Sequence, residues 1–216
     1  SDVVYSYRYS PNYEKGSLFD QDISWRGFQS DSLDYVNDNK NITFVVTCDI
    51  ADFYTRIYHH RLENALDRLD PNKTTSSVIK KMIQNFSGTN SYGLPVGGAA
   101  ARILAELSID SVDQNLTIQG IKYKRYVDDF TIFCNSKEAA HIALTYISRL
   151  LMETEGLTLQ KHKTSILSKE EFISLTNAKL NGSEDSEGST TRARFMSLPI
   201  RYDPYSQNAD AQYEQV

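Results

Sequence analysis

The fold is decided by residues 118–134, IQGIKYKRYVDDFTIFC, an apolar and aromatic stretch interrupted by two adjacent carboxylates. This pattern predicts two β-strands joined by a tight turn, with Asp128 and Asp129 at the tip of the hairpin. Because aspartate forms turns readily, the simplest interpretation of such a pair is an exposed hairpin tip. Here the flanking residues Tyr126 and Phe130 are aromatic, so we expect buried strands that leave the carboxylates at a structured edge.

A third carboxylate follows another apolar strand. Residues 41–49, NITFVVTCD, are rich in β-branched side chains and predict a buried strand that ends in Asp49. Taken alone, such an aspartate more often caps the next helix. Adjacent carboxylates repel each other unless water or a cation screens them, and Mg²⁺ accepts carboxylate oxygens. If the two strands pair, Asp49, Asp128 and Asp129 can hold two ions about 3.5–4 Å apart, as in-line phosphoryl transfer requires.

Between Asp49 and the hairpin, apolar periodicity predicts three helices, which supply the excursion that returns the chain to the same sheet. The first covers 55–69, the second ends before Gly88, and the third follows the glycine-rich segment 93–98. The second helix is expected to bury one apolar face. That face consists of Val78, Ile79, Met82, Ile83 and Phe86.

The regions on either side of this core have simpler patterns. An amphipathic helix is predicted over 137–155, with Gly156 as its C-cap. Short strands at 157–159 and 165–167 then complete a βααβ-type alternation. Residues 1–40 are rich in Tyr, Asp and Ser with little periodicity, and predict short strands and loops.

The composition is that of an ordinary globular protein, with 216 residues of which 40% are hydrophobic and 24% charged. No apolar run approaches the roughly 20 residues that span a bilayer. Two cysteines, Cys48 and Cys134, fit a reducing compartment, so we expect a cytoplasmic protein without membrane contact. The chain begins without Met and ends without a closing element, and we expect it to be a piece of a longer protein.

The net charge of −5 is unfavourable for binding phosphates. Two local basic clusters are expected to supply positive surface. One consists of Lys122, Lys124 and Arg125, and the other covers residues 161–163.

Four segments resemble motifs A, B, C and D of reverse transcriptases, in that order. They are Asp49-Ile50-Ala51-Asp52-Phe53-Tyr54, Gly93-Leu94-Pro95-Val96-Gly97-Gly98, Tyr126-Val127-Asp128-Asp129, and Gly156-Leu157 through Lys163. Their order, each on the expected element, makes the resemblance specific over roughly residues 41 to 170. The run from Gly93 to Glu106 and the segment from Ile57 to Glu63 are most similar to the prokaryotic unclassified, abortive-infection and defence-associated group.

The resemblance implies an α+β fold. This would be a polymerase right-hand palm, a ferredoxin-like βαβ-type antiparallel sheet with packed helices, together with partial fingers. The implied divisions are partial fingers at 1–40, a palm at 41–175 with inserted fingers-side helices at 55–92, a linker at 176–192, and the start of a thumb or following helical domain at 193–216.

The resemblance also implies roles for the acidic residues. Asp49 and Asp128 would bind two Mg²⁺ ions, with Mn²⁺ as an alternative metal. Asp129 would assist, and the carbonyl of Ile50 would complete a site. Lys163, which could equally be an ordinary surface lysine, would neutralise or protonate the leaving pyrophosphate.

Further residues would bind the incoming nucleotide. Backbone amides at Asp52 and Phe53 would hold its triphosphate. Tyr54 would be the steric gate against a ribose 2′-hydroxyl, and a packed aromatic is its alternative role. The remaining nucleotide-binding residues are Pro95, Val96 and Gly97, with Gly97 and Gly98 letting the backbone pass close to the nascent base pair.

Some positions depart from the family pattern. Many relatives have glutamine where this chain has Val96, and valine cannot form hydrogen bonds to the nucleotide or template. The basic fingers residues that grip the triphosphate are not evident, and Arg8 is the candidate for that role. Tyr126 and Arg102 are candidates for contact with nucleic acid, and no thumb is evident.

The resemblance implies an RNA-directed DNA polymerase that uses dNTPs with an RNA or DNA template and primer, in antiviral defence. Alternatives are a retron-like or group II intron-like retroelement enzyme, or a polymerase that works without a template, from a protein primer or with a non-coding RNA. An RNA polymerase or nucleotide cyclase on the same palm is a further alternative. A non-enzymatic nucleic-acid-binding relic is disfavoured because the three aspartates are intact.

Overall fold

The computed structural model describes residues 2–12, 17–20 and 22–181. The chain divides into two units, Ser1–Thr176 and Asn177–Val216, and only residues 177–181 of the second are described. In chain order the elements are β1 (Tyr9–Asn12), β2 (Ser17–Phe19), α1 (Trp25–Asp38), β3 (Phe44–Asp49), α2 (Phe53–Arg56), α3 (His59–Leu69), α4 (Thr74–Ser87), α5 (Ala99–Ile118), β4 (Lys122–Tyr126), β5 (Asp129–Cys134), α6 (Lys137–Leu150), β6 (Ser165–Ser168) and α7 (Lys169–Asn181).

The central feature is a four-stranded sheet with the order β4-β5-β3-β6, in which every neighbouring pair is antiparallel. The strand β3 lies between β5 and β6. Its consecutive residues Val45 and Val46 point to opposite faces of the sheet, and both are fully buried. The strands β4 and β5 form a hairpin whose two-residue turn is Val127 and Asp128. The predicted strand before Asp49 and the predicted hairpin are therefore confirmed.

Helices cover both faces of this sheet. On one face, Val46 and Ile132 pack in a large apolar core with residues of α5 and α6, including Ile109 and Ile147. On the other face, Val45 and Phe133 form a smaller cluster that also contains Val36, Ile42 and Phe172. This arrangement confirms the α+β class with an antiparallel sheet and packed helices.

The prediction of short strands and loops over residues 1–40 is wrong for α1. The helix starts at Ser24, whose side chain accepts a hydrogen bond from the N–H of Gly27, and it buries Phe28, Ser32 and Val36 at four-residue intervals. Only two of those three side chains are apolar, so the hydrophobic period is weak. The strands β1 and β2 do form in this region.

The single helix predicted over 55–69 is interrupted. The helices α2 and α3 are separated because Tyr58 forms a β-bridge with Tyr92. On either side of that bridge, the N–H of Gly93 donates to the carbonyl of Ile57, and the N–H of His59 donates to the carbonyl of Ser91. A pairing with a segment more than thirty residues away therefore breaks the local helical pattern.

Two other predictions need correction. In the apolar face predicted for α4, Ile83 is buried, whereas Val78, Met82 and Phe86 are largely exposed, since periodicity identifies an apolar face but not a neighbour that covers it. The strand predicted at 157–159 is reduced to one bridge between Leu159 and Ile50. The chain leaves that bridge for a 3₁₀ turn at Lys161–Lys163, which prevents a longer ladder.

Other local predictions are confirmed. The predicted helix over 137–155 is α6, continued by a π-helical turn at Leu151–Glu155. Gly156 follows with φ of +68°, the left-handed conformation expected of a glycine C-cap. None of the helices in the described ranges combines the length and apolar composition that a bilayer span requires.

The helix α7 occupies residues 176–181, which were predicted to begin a linker. It starts with a capping box, in which the N–H of Ser168 donates to Glu171 Oε2 at 2.8 Å and the N–H of Glu171 donates to Ser168 Oγ at 3.3 Å. The Ser-x-x-Glu spacing is the sequence signal that was missed. Residues 182–192 of the predicted linker and the segment 193–216 lie outside the described residues, and the division into fingers, palm and thumb remains a prediction.

Replacing Ser168 by alanine should lower the free energy of unfolding by about 1 kcal/mol, because the N–H of Glu171 loses its acceptor. Chemical denaturation of both proteins would measure the loss. Ser148→Ala, at an exposed position of α6, is the matched control and should change the stability by less than about 0.5 kcal/mol. Equal effects at the two serines would contradict the role of the capping box.

Candidate active site

The ends of the two central strands bring the three predicted aspartates together. Asp49, the last residue of β3, lies opposite Asp129, the first residue of β5. Side chains directly opposite each other in an antiparallel pair have Cβ atoms about 4.5–5.5 Å apart. The next residue, Ile50, donates its N–H to the carbonyl of Asp128 at 3.1 Å. The turn that carries Asp128 is thus held against the end of β3, as the sequence predicted.

The pKa values of two of these aspartates are raised in this arrangement. Burial raises the pKa of Asp128, and the nearby Asp49 raises it further. Burial, followed by Asp128 and Asp49, raises the pKa of Asp129 to about 6. Burial and the neighbouring carboxylates thus disfavour the ionised forms of Asp128 and Asp129, so this edge of the sheet attracts cations.

One cation from the chain lies at this edge. Lys163 Nζ is 2.8 Å from Asp49 Oδ2, and the Asp49 side chain is only 8% exposed. The hydrogen bond to Asp49 raises the pKa of Lys163. The 3₁₀ turn that carries Lys163 is fixed nearby because the N–H of Gln160 donates to the carbonyl of Asp49 at 2.7 Å. The structure therefore places the predicted lysine beside the aspartates.

The donors at this edge fit a hard divalent cation. Carboxylate oxygens are the ligands that Mg²⁺ prefers, and it takes one or two of them while keeping water and substrate phosphates in its other positions. Within the described residues, no three His, Cys, Asp or Glu side chains converge as a complete metal-binding set. The additional carbonyl predicted as a ligand belongs to Ile50, whose side chain is buried.

The predicted steric gate lies beside the glycine-rich loop. The carbonyl of Tyr54 accepts a hydrogen bond from the N–H of Leu94 at 2.8 Å, which connects α2 to that loop. The Tyr54 ring is half-buried against Phe53 at 5.6 Å between centroids. Burial, followed by a hydrogen bond with the side chain of Tyr7, raises the pKa of Tyr54. Both ring and hydroxyl of the predicted gate are therefore held by neighbours.

The other predicted nucleotide-binding residues border the same region. Pro95 and Val96 are exposed, and Val96 is 75% exposed. Gly97 has φ of +103°, with open space where a side chain would project, which leaves its backbone accessible to a ligand. Asp52 has φ of +51° at the start of α2, and its carboxylate lies 3.6 Å from Arg56.

Aromatic and basic side chains extend the site towards the N-terminal segment. The Arg102 guanidinium lies 5.1 Å from the centroid of the Tyr7 ring. Tyr126 stacks on Phe28 with centroids 6.2 Å apart. The side chain of Arg8 is exposed. Tyr126 and Arg102 are close enough to interact electrostatically.

Sequence reasoning missed several residues at this site. Arg125, which was assigned to a basic surface cluster, is only 1% exposed and forms ion pairs with Glu106 and Asp113. Tyr7 and Ser6 were not singled out, although both contact site residues. The signal that could have suggested the ion pairs is an arginine at a buried position of the alternating strand pattern. A second part of the signal is a pair of acids on one face of the long helix α5.

An antiparallel sheet with helices on both faces, and with carboxylates at the ends of its two central strands, is the arrangement that the predicted polymerase palm requires. The family model described as "Reverse transcriptase (RNA-dependent DNA polymerase)" matches residues 7–199. The chain belongs to this family of nucleotidyltransferases.

Comparison with solved structures finds two similar telomerases, the first of which supports the same fold. Apo telomerase from Candida tropicalis is similar with a TM-score of 0.50 and 14% identity, over 65% of this chain and 31% of the telomerase chain. Telomerase from Candida albicans in complex with a fragment of telomeric RNA is similar with a TM-score of 0.49 and 14% identity, over 66% of this chain and 30% of that one. The chain thus spans about a third of these telomerases. No curated protein sequence matches it.

Proposed function

We propose that this chain is the catalytic core of an RNA-directed DNA polymerase, which adds deoxynucleotides to a growing DNA end. The observation that carries the proposal is the register of β3 and β5, which sets Asp49 opposite Asp129 and next to the turn that carries Asp128. Family membership supports the same reaction class.

In this proposal Asp49, Asp128 and Asp129, together with the carbonyl of Ile50, hold two Mg²⁺ ions, with Mn²⁺ as a substitute. When bound, the ions would supply charge stabilisation for the attacking and leaving oxygens of an in-line displacement. Lys163 exchanges its contact with Asp49 for the leaving pyrophosphate, which it neutralises or protonates. General acid assistance of this kind is typically worth ~10²–10⁴ in rate.

The incoming dNTP would lie between the aspartates and the glycine-rich loop. Backbone amides at Asp52 and Phe53 bind its triphosphate, because an amide can approach phosphate without adding charge. Pro95, Val96 and Gly97 border its base. Since Val96 offers only an apolar side chain, we propose that this chain positions the nucleotide by contact and stacking where glutamine-bearing relatives use a hydrogen bond.

Template and primer would approach from the side of the N-terminal segment. Arg102 and Arg8 supply positive charge for phosphates, and Tyr126 supplies an aromatic surface next to the aspartates. The proposed template is RNA or DNA, and a non-coding RNA or a protein can serve as primer in this scheme. The proposed partners are therefore dNTPs and a primer with its template.

Replacing Tyr54 by valine should raise the use of ribonucleotides, because the ring would no longer fill the space of a 2′-hydroxyl. We expect the ratio of kcat/KM for dNTP to that for NTP to fall at least tenfold, or about 1.4 kcal/mol in differential barrier. Single-nucleotide incorporation kinetics would measure the ratio. Tyr9→Val, at an exposed tyrosine of β1, is the control and should leave this ratio unchanged. Unchanged sugar selectivity in Tyr54→Val would remove the gate from the proposal.

Primer extension with the full-length protein tests the function itself. Four reactions, with dNTPs or NTPs and with or without an RNA template, separate the alternatives. Templated incorporation of dNTPs supports the proposal, and incorporation of NTPs alone contradicts it. Extension without template would redefine the enzyme as a terminal or protein-primed polymerase.

We further propose membership of the defence-associated group, on the basis of the segments 57–63 and 93–106. Expression of the intact gene with its neighbours in a bacterial host, followed by phage challenge, tests this role. Protection that is lost in Asp128→Asn would support it. Movement of a DNA element in place of protection would favour a retroelement enzyme.

A further inference from the structure

The turn between β4 and β5 contains a strained residue. Val127 has φ of +56°, in the left-handed region that β-branched residues rarely adopt. Such a conformation is unfavourable and persists only when the surroundings enforce it. Val127 is also buried, at 5% exposure, and immediately precedes Asp128. The contacts that enforce this conformation therefore also fix the position of Asp128 in the turn.

Two side chains hold the backbone of Val127 from opposite sides. Its N–H donates to Ser6 Oγ at 3.0 Å. Its carbonyl accepts a hydrogen bond from Arg125 Nη1 at 2.8 Å. Both polar groups of the strained residue are thus bound by side chains.

Glu106 on α5 connects these two side chains. Ser6 Oγ donates to Glu106 Oε1 at 2.6 Å, and Arg125 Nη2 donates to Glu106 Oε2 at 2.8 Å. Asp113, which also lies on α5, accepts a hydrogen bond from Arg125 Nε at 3.0 Å. Since charged and buried hydrogen bonds are stronger and more directional than exposed ones, the set is rigid.

We propose that Ser6, Glu106 and Arg125 form a turn clamp, a set of positioning residues that forces Val127 into its left-handed conformation and thereby sets Asp128. The inference rests on the proposed function, because the aspartate it positions is the proposed metal ligand. The N-terminal segment belongs to the clamp through its backbone as well, since the N–H of Arg125 donates to the carbonyl of Val3 and the N–H of Tyr5 donates to the carbonyl of Arg125. The clamp thus makes a segment more than a hundred residues away part of the catalytic geometry.

The test combines removal of the clamp with removal of the strain. In the full-length protein, Ser6→Ala should lower kcat for dNTP incorporation about tenfold, with KM changed less than about twofold, because the turn populates its active conformation less often. In a Val127→Gly background, glycine adopts positive φ without cost, so the same Ser6→Ala change should lower kcat less than about twofold. An equal loss in both backgrounds would overturn the proposal, since a purely structural serine would not depend on residue 127.

A matched control and a second readout keep the test decisive. Ser108, a buried serine on α5, donates its hydrogen bond to the carbonyl of Ala105, so Ser108→Ala should leave kcat unchanged. Amide hydrogen exchange at Val127 should rise in Ser6→Ala, and unchanged exchange would overturn the clamp. If Val127→Gly does not fold, Val127→Asn replaces it, because asparagine tolerates the left-handed region. Loss of incorporation in the unmodified protein would contradict the proposed function, while the exchange measurement would still test the clamp.

Discussion

Replacing Asp128 by asparagine is expected to reduce nucleotide incorporation at least 100-fold and to leave the fold intact. Asparagine has the same shape but lacks the charge that a divalent cation requires. Since burial and Asp49 raise the pKa of Asp128, removing the charge also relieves repulsion in the absence of metal. The melting temperature of the metal-free protein should therefore stay the same or rise.

Single-nucleotide incorporation at saturating Mg²⁺, together with thermal unfolding in EDTA, would measure both effects. Asp110→Asn, at an exposed position on α5, is the matched control and should retain full activity. An Asp128→Asn protein that keeps more than a few per cent of the activity would contradict the assignment of the metal ligands. A large loss of stability would show instead that the substitution acts through the fold.

Replacing Arg125 by methionine is expected to cost about 3–5 kcal/mol of unfolding free energy. Methionine has a similar length, but it leaves Glu106 and Asp113 without their cation, and their side chains are only 18% and 13% exposed. Burial lowers the pKa of Arg125, and the two acids raise it by more, so its pKa lies above the usual range. The carboxylates therefore depend strongly on this guanidinium.

Urea denaturation would measure that loss. The triple variant Arg125→Met, Glu106→Gln, Asp113→Asn removes the stranded charges along with the cation and should recover a substantial part of the lost stability. A loss below about 1 kcal/mol in Arg125→Met would show that the ion pairs contribute little. No recovery in the triple variant would assign the loss to packing of the arginine side chain.

The individual strands could be predicted because their signals are local, whereas the meeting of Asp49 with the other two aspartates was predicted only on the condition that β3 and β5 pair. The β-branched run before Asp49 fits only a buried strand, and the aromatic flanks of Asp128 and Asp129 specify a hairpin with a short turn. The helix α6 and its glycine cap follow from an apolar period and one residue type. In each case neighbouring residues contain the necessary information.

Other features depend on contacts that the sequence does not display. The break between α2 and α3 results from a bridge between Tyr58 and Tyr92, which no helical period reveals. In the sequence Arg125 resembles a surface cation, and only the structure shows that it forms ion pairs with Glu106 and Asp113 on α5. Polar networks of this kind have no periodic pattern, because their members come from separate elements.

The register of β3 has a consequence for how this protein can vary. Asp49 faces Asp129 through an unbroken ladder that begins with Phe44 opposite Cys134. Deleting or inserting one residue within this strand would turn every later side chain to the opposite face, so Asp49 would exchange places with a core residue. Substitutions that preserve apolar volume can be accommodated along the strand, whereas a change in its length cannot, and natural variants should differ here in composition but not in residue number.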